Sequence, residues 1–90
     1  MESLQNIGTL ISANRLNEAL AALDARVAAD PRDHEALYMR GRVHWRLGDM
    51  RRAMTDYSAS AAINPDGPAS LALGQTREIL DFYCKDIYNP

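Results

Sequence analysis

Two stripes of small and apolar side chains, each at helical spacing, run through the middle of the chain and are separated by turn residues. Leu37, Gly41 and His44 recur within 33–47, and Gly48-Asp49 closes that run. Met50, Ala53, Met54, Tyr57 and Ala61 then form a second stripe of period 3.6 that reaches Ile63. Pro65 lacks an amide donor and biases Asn64 away from helical angles, so that helix must end there. The N-terminal part repeats the design: a helix at about 2–13, a turn at Asn14-Arg15, a helix at about 17–29, and a stop at Pro31. Asp66-Gly67-Pro68 opens a third unit, where proline suits the first helical turn, and the helix continues past Gly74 to about Tyr88. The pattern predicts an all-α chain of about five antiparallel helices in one domain.

Displaced by 34 residues, the chain partly overlays itself, and 34 residues is the length of one helix-turn-helix repeat. Ala29-Asp30-Pro31 falls on Ile63-Asn64-Pro65, and Asn14-Arg15 falls on Gly48-Asp49. Leu16, Ala19, Leu20 and Leu23 fall on Met50, Ala53, Met54 and Tyr57, and Leu37 falls on Leu71. With Leu37, Gly41, Gly48-Asp49, Ala53, Tyr57 and Pro65 at these offsets, the chain resembles the tetratricopeptide repeat family over essentially its whole length. The first unit, about 1–33, keeps only Leu10, Ala19, Leu23 and Pro31; the second, about 34–67, carries most of the pattern. The third supplies Leu71 and resembles the family's solvating end helix, over about 68–88, with Gln75 and Glu78 where a missing neighbour would pack. Gly41 and Ala53 belong where two helices cross closely. His44 stands in place of the usual aromatic and Arg40 in place of the usual aliphatic, which predicts a looser helix contact.

The resemblance implies an α-α superhelix, a right-handed ramp whose concave face is lined by the first helix of each pair. On that helix of the second unit, Glu35, Tyr38, Met39, Arg42, Trp45 and Arg46 share one face. Aromatic and guanidinium groups dominate interface energetics, so these six residues are the expected peptide-binding groove. Two arrangements suit them: the aromatics anchor a peptide, or Trp45 packs on neighbouring helices while the arginines stay solvated. The matching positions of the first unit are Leu4, Gly8 and Ile11, which predicts a groove apolar at one end and cationic at the other. Some members of the family bind the carboxylate terminus of chaperones through Lys and Asn in this groove. This chain has Leu4, Gly8, Met39, Ala69 and Leu73 at those positions, so the co-chaperone role is rejected.

Composition narrows the function further. A chain with 47% hydrophobic and 24% charged residues is too apolar for disorder. A net charge of −2 argues against general nucleic-acid affinity, which needs excess Lys and Arg. Five arginines do crowd into 40–52 (Arg40, Arg42, Arg46, Arg51, Arg52), but Arg51 and Arg52 point away from the groove, and a solvated surface is the simpler reading. No apolar run approaches the roughly 20 residues that span a bilayer, so no membrane partner is expected. The first residues lack a basic region and a long apolar core, so no signal peptide is expected, and the lone Cys84 suits a reducing cytoplasm. His34 and His44 stand ten apart with no completing ligands, and Cys84 has no companion histidine. No catalytic residue, metal or cofactor is expected.

The last helix is long for a repeat helix, about 30 Å at 1.5 Å per residue. Its end carries Ile79, Leu80, Phe82, Tyr83, Ile87 and Tyr88. Such a surface either mediates association or folds back on its own repeat. Two and a half units fall short of the three or so that usually make an array stable. A homodimer through Ile79, Phe82, Tyr83 and Ile87 is therefore expected. The reading that results is a scaffold binding a protein or peptide partner in its groove, its rival a homo-oligomerisation module with no separate ligand.

Overall fold

In the computed structural model the described residues are 1–75 and 78. They form an all-α array: α1 (Leu4–Ser12), α2 (Leu16–Ala29), α3 (His34–Arg46) and α4 (Met50–Ile63), followed by α5, helical over 68–75. Among the described residues there is no strand. The contact surface expected at Ile79, Phe82, Tyr83 and Ile87 lies outside the described residues.

The turn residues act as the 34-residue displacement predicts. Asn14 and Gly48 are the residues after α1 and α3 that take positive φ, at 61° and 84°. In both turns the chain closes on the preceding helix in the same way. Asn14 N–H donates to Ile11 O and Arg15 N–H to Leu10 O; Gly48 N–H donates to Trp45 O and Asp49 N–H to His44 O. These paired bonds satisfy carbonyls that a helix end leaves open. At the far end of each unit, Asp30 and Asn64 leave the helical region, at φ −144° and −132°, as residues before proline do.

Helix starts are capped by Ser3, Asp33 and Asp49, whose side chains accept from the backbone N–H of Asn6, Ala36 and Arg52. α2 is the exception. Arg15 holds the N-cap position with φ −92° and ψ 65°, close to the −95° and 81° of Asp49, but offers no acceptor. Arg15→Asp should therefore supply the missing acceptor, at the loss of the exposed Arg15–Glu18 ion pair, which contributes little. The expected gain is about 1 kcal/mol in a urea melt. An unchanged midpoint would mean that this helix start is already satisfied.

Packing follows the chain order: α1 on α2, α2 on α3, α3 on α4, with α1 also touching α3. The core is Ile7, Ile11, Ala19, Leu23, Ala36 and Val43, flanked by half-buried Leu4, Leu10, Leu16, Leu20, Val27 and Met39. Where α3 crosses α4, a side chain on Gly41 would begin 2.6 Å from the Tyr57 ring and 3.3 Å from Ala53 O. The glycine is what lets the ring lie on the helix. Ser60 Oγ donates to His34 O at 2.7 Å and fastens the other end of the same pair.

The contact expected to be loose at Arg40 and His44 is closed instead. Arg40 donates through Nε and Nη2 to both oxygens of Asp56, each at 2.8 Å, and through Nη1 to Asp24 at 3.1 Å. One guanidinium thus joins α2, α3 and α4. Asp56 is 4% exposed, and His44 Nε2 stands 3.6 Å from its Oδ2, beyond hydrogen-bond range. Hydrogen bonding to Asp56 raises the Arg40 pKa against the opposing effect of burial, so the guanidinium keeps its charge.

Candidate functional site

The concave side of the array is built on α3. Residues 35, 38, 39 and 42 share one face at helical spacing, and the structure brings them to two adjoining depressions. The first, about 400 Å³ between α1 and α3, is lined by Gln5, Gly8, Thr9, Ile11, Ser12, Met39 and Arg42. The second, about 450 Å³ between α3 and the start of α5, is lined by His34, Glu35, Tyr38, Met39, Arg42, Ser60 and Pro68. Met39 and Arg42 belong to both, so the two depressions meet across α3 as one trough.

Local sequence explains the shape. Gly8 leaves the first depression open, because the nearest atom to a side chain there would be Met39 Cε at 3.9 Å. Its neighbour Ile11 is 4% exposed and belongs mainly to the core, so the α1 wall is more polar than the apolar end expected from Leu4, Gly8 and Ile11. Tyr38 forms the wall of the second depression and lies 5.9 Å from the buried Tyr57 ring, tilted by 38°. Arg42 Cζ sits 5.9 Å from the Tyr38 centroid, within cation–π range. Burial pushes the Tyr57 hydroxyl above its ordinary value; Tyr38 adds to this and Arg42 opposes it.

The six groove residues separate by role. Glu35, Tyr38, Met39 and Arg42 line the trough. Trp45 is half-buried and lines neither depression. Arg46 reaches across to α1, where Nη1 donates to Ile11 O at 3.0 Å and Nη2 to Asn14 Oδ1 at 3.3 Å. It braces the end of α1, a role its place on the helix face does not reveal. Sequence reasoning missed the small polar wall of Gln5, Thr9 and Ser12, because nothing in those residue types marks a binding surface.

On the convex side, a third depression of about 410 Å³ is lined by Asp24, Arg40, His44, Arg51, Arg52 and Asp56, among others. Its centre is the ion-paired cluster that holds α2, α3 and α4 together. Among the described residues, no group of three or more His, Cys, Asp or Glu side chains is placed to hold a metal ion. No helix among them is long and apolar enough to cross a membrane.

A repeated helical pair with a trough along its first helices defines a repeat scaffold, and sequence comparison names it. The sequence model of the tetratricopeptide repeat matches residues 9–68, and the chain belongs to that family. Repeats of this kind generally mediate protein–protein interaction, and the family's members are generally non-catalytic scaffolds. The chain is similar to the cell division cycle protein 27 homolog of Caenorhabditis elegans, 34% identical over 62 residues. That match covers 69% of this chain and 8% of the much longer relative. It is also similar to a Bacteroides fragilis protein solved in solution by NMR, at 37% identity and a TM-score of 0.85. That likeness covers 99% of this chain and 91% of the other.

Proposed function

We propose that this chain is a binding module that holds an extended segment of another protein in the trough across α3. The observation that carries the reading is the meeting of two depressions at Met39 and Arg42. Together they offer a continuous course for a chain from α1 to the start of α5. Family membership supports it, since the repeats generally mediate protein–protein interaction. Peptides selected from a random library on the native protein test the reading directly. Gly8→Leu, which fills the first depression, and Tyr38→Ala, which removes a wall of the second, should each weaken those peptides by about 1–3 kcal/mol. Both variants should keep the parental helical signal. Peptides indifferent to both substitutions would place the binding face elsewhere.

Self-association is the second reading, and Leu71 favours it. Leu71 is 69% exposed, whereas Leu37, one repeat earlier, is 4% exposed. A second copy, docking through Ile79, Phe82, Tyr83 and Ile87, would extend cover to that end of the array. Light scattering at micromolar concentration is expected to give twice the monomer mass of 10.0 kDa. A monomer mass that holds across dilution would remove this reading and leave the trough untouched.

A further inference from the structure

We infer that the segment held in the trough carries an acidic side chain seated on Arg42, beside an apolar side chain held among Tyr38, Met39 and Pro68. The inference rests on the trough being the binding site, and it names the chemistry that site selects.

The arginines of the array have different fates. Arg40 is taken by Asp56 and Asp24, Arg26 by Asp33, and Arg46 by backbone and amide oxygens of the α1 turn. Arg42 is exposed and has no carboxylate partner among the described residues. It nevertheless lies over the Tyr38 ring, which holds the guanidinium at the point where the two depressions meet. A guanidinium held in place loses little freedom when it forms a two-pronged bond to a carboxylate.

The surroundings fix the sign of the charge it selects. Gln5, Thr9 and Ser12 bring no acid to the first depression, so it is cationic although the whole chain carries −2. Glu35 is the acid lining the second depression and stands two helical turns from Arg42, roughly 10 Å along the axis. It is too far to neutralise the guanidinium and would disfavour an acidic group at its own end. The acid is therefore directed to Arg42, and the apolar group to the space between the Tyr38 ring, Met39 and Pro68. Arg42 lies in mid-course, between the two depressions that the segment crosses, so a side-chain carboxylate within the segment is the occupant, not a chain terminus.

The test uses a random peptide library with amidated C-termini, selected on the full chain. Selected peptides should be enriched in Asp or Glu adjacent to a large apolar residue. Changing that Glu to Gln should weaken binding at least tenfold to the native protein and less than about twofold to Arg42→Gln, since the charge has then lost its partner. If selected peptides are blocked by Gly8→Leu yet show no acid, or bind Arg42→Gln as well as native protein, the charge assignment fails and the trough stands. If a matched library with free C-termini alone yields binders, a terminal carboxylate is the occupant and the inference is again overturned. If neither library yields peptides sensitive to Gly8→Leu, the trough itself is not the site.

Discussion

Gly41→Leu is expected to lower the stability of the fold by about 3 kcal/mol, the upper part of the usual range for overpacking. The first carbon of the new side chain would stand 2.6 Å from the Tyr57 ring, and three more carbons would follow it. Tyr57 is 4% exposed and stacks near Tyr38, so it cannot swing aside without disturbing the trough wall. Helix propensity pulls the other way, because glycine inside a helix is worse than alanine by roughly 0.5–1 kcal/mol. Gly74 has open space around it, so Gly74→Ala should stabilise by about that amount. Opposite signs at Gly41 and Gly74 in urea melts would show that the close crossing, not the residue type, governs the response. A Gly41→Leu variant as stable as the parent would mean that α3 and α4 do not cross at this point.

The second large effect concerns the three-helix ion cluster. Asp56→Ala should cost about 3 kcal/mol, because it strands a part-buried guanidinium that is left with Asp24 alone. Arg40→Met should cost a similar amount, because it leaves the Asp56 carboxylate buried beside His44 with its main partner gone. The double variant should be no worse than the poorer single one, since neither charge is then left unpaired. A urea double-mutant cycle checks this. Strictly additive costs would show that Arg40 and Asp56 do not act on one another.

The first four helices, the turns between them and the crossing at Gly41 were legible, because turn chemistry at Asn14, Gly48, Pro31 and Pro65 and the 34-residue displacement all point the same way. The ion cluster was not. The stripe read along α4 took Met50, Ala53, Met54, Tyr57 and Ala61, whereas its fully buried residues are Ala53, Asp56, Tyr57 and Ser60. A turn of the helix face by one position hid an acid inside the packed stripe. Asp56 at i+3 from Ala53 was the available signal, since a buried carboxylate demands a cation, and Arg40 was already conspicuous where an aliphatic is usual. For the trough, α3 announced its own residues by spacing alone. The reach of Arg46 to the α1 turn, and the open floor at Gly8, depend on how one unit leans on the next, and no residue pattern encodes that directly.

A protein segment held in the trough across α3 should perturb the backbone amides that line it. Amide shifts of the isotope-labelled chain, followed by NMR while a library-selected peptide is added, test it most directly. The expected result is a contiguous set of shifted amides over Gln5, Gly8, Thr9, Tyr38, Met39 and Arg42, with the convex residues Arg51, Arg52 and Thr55 unmoved. Saturable binding that shifts the convex set and leaves Gly8, Met39 and Arg42 in place would contradict it.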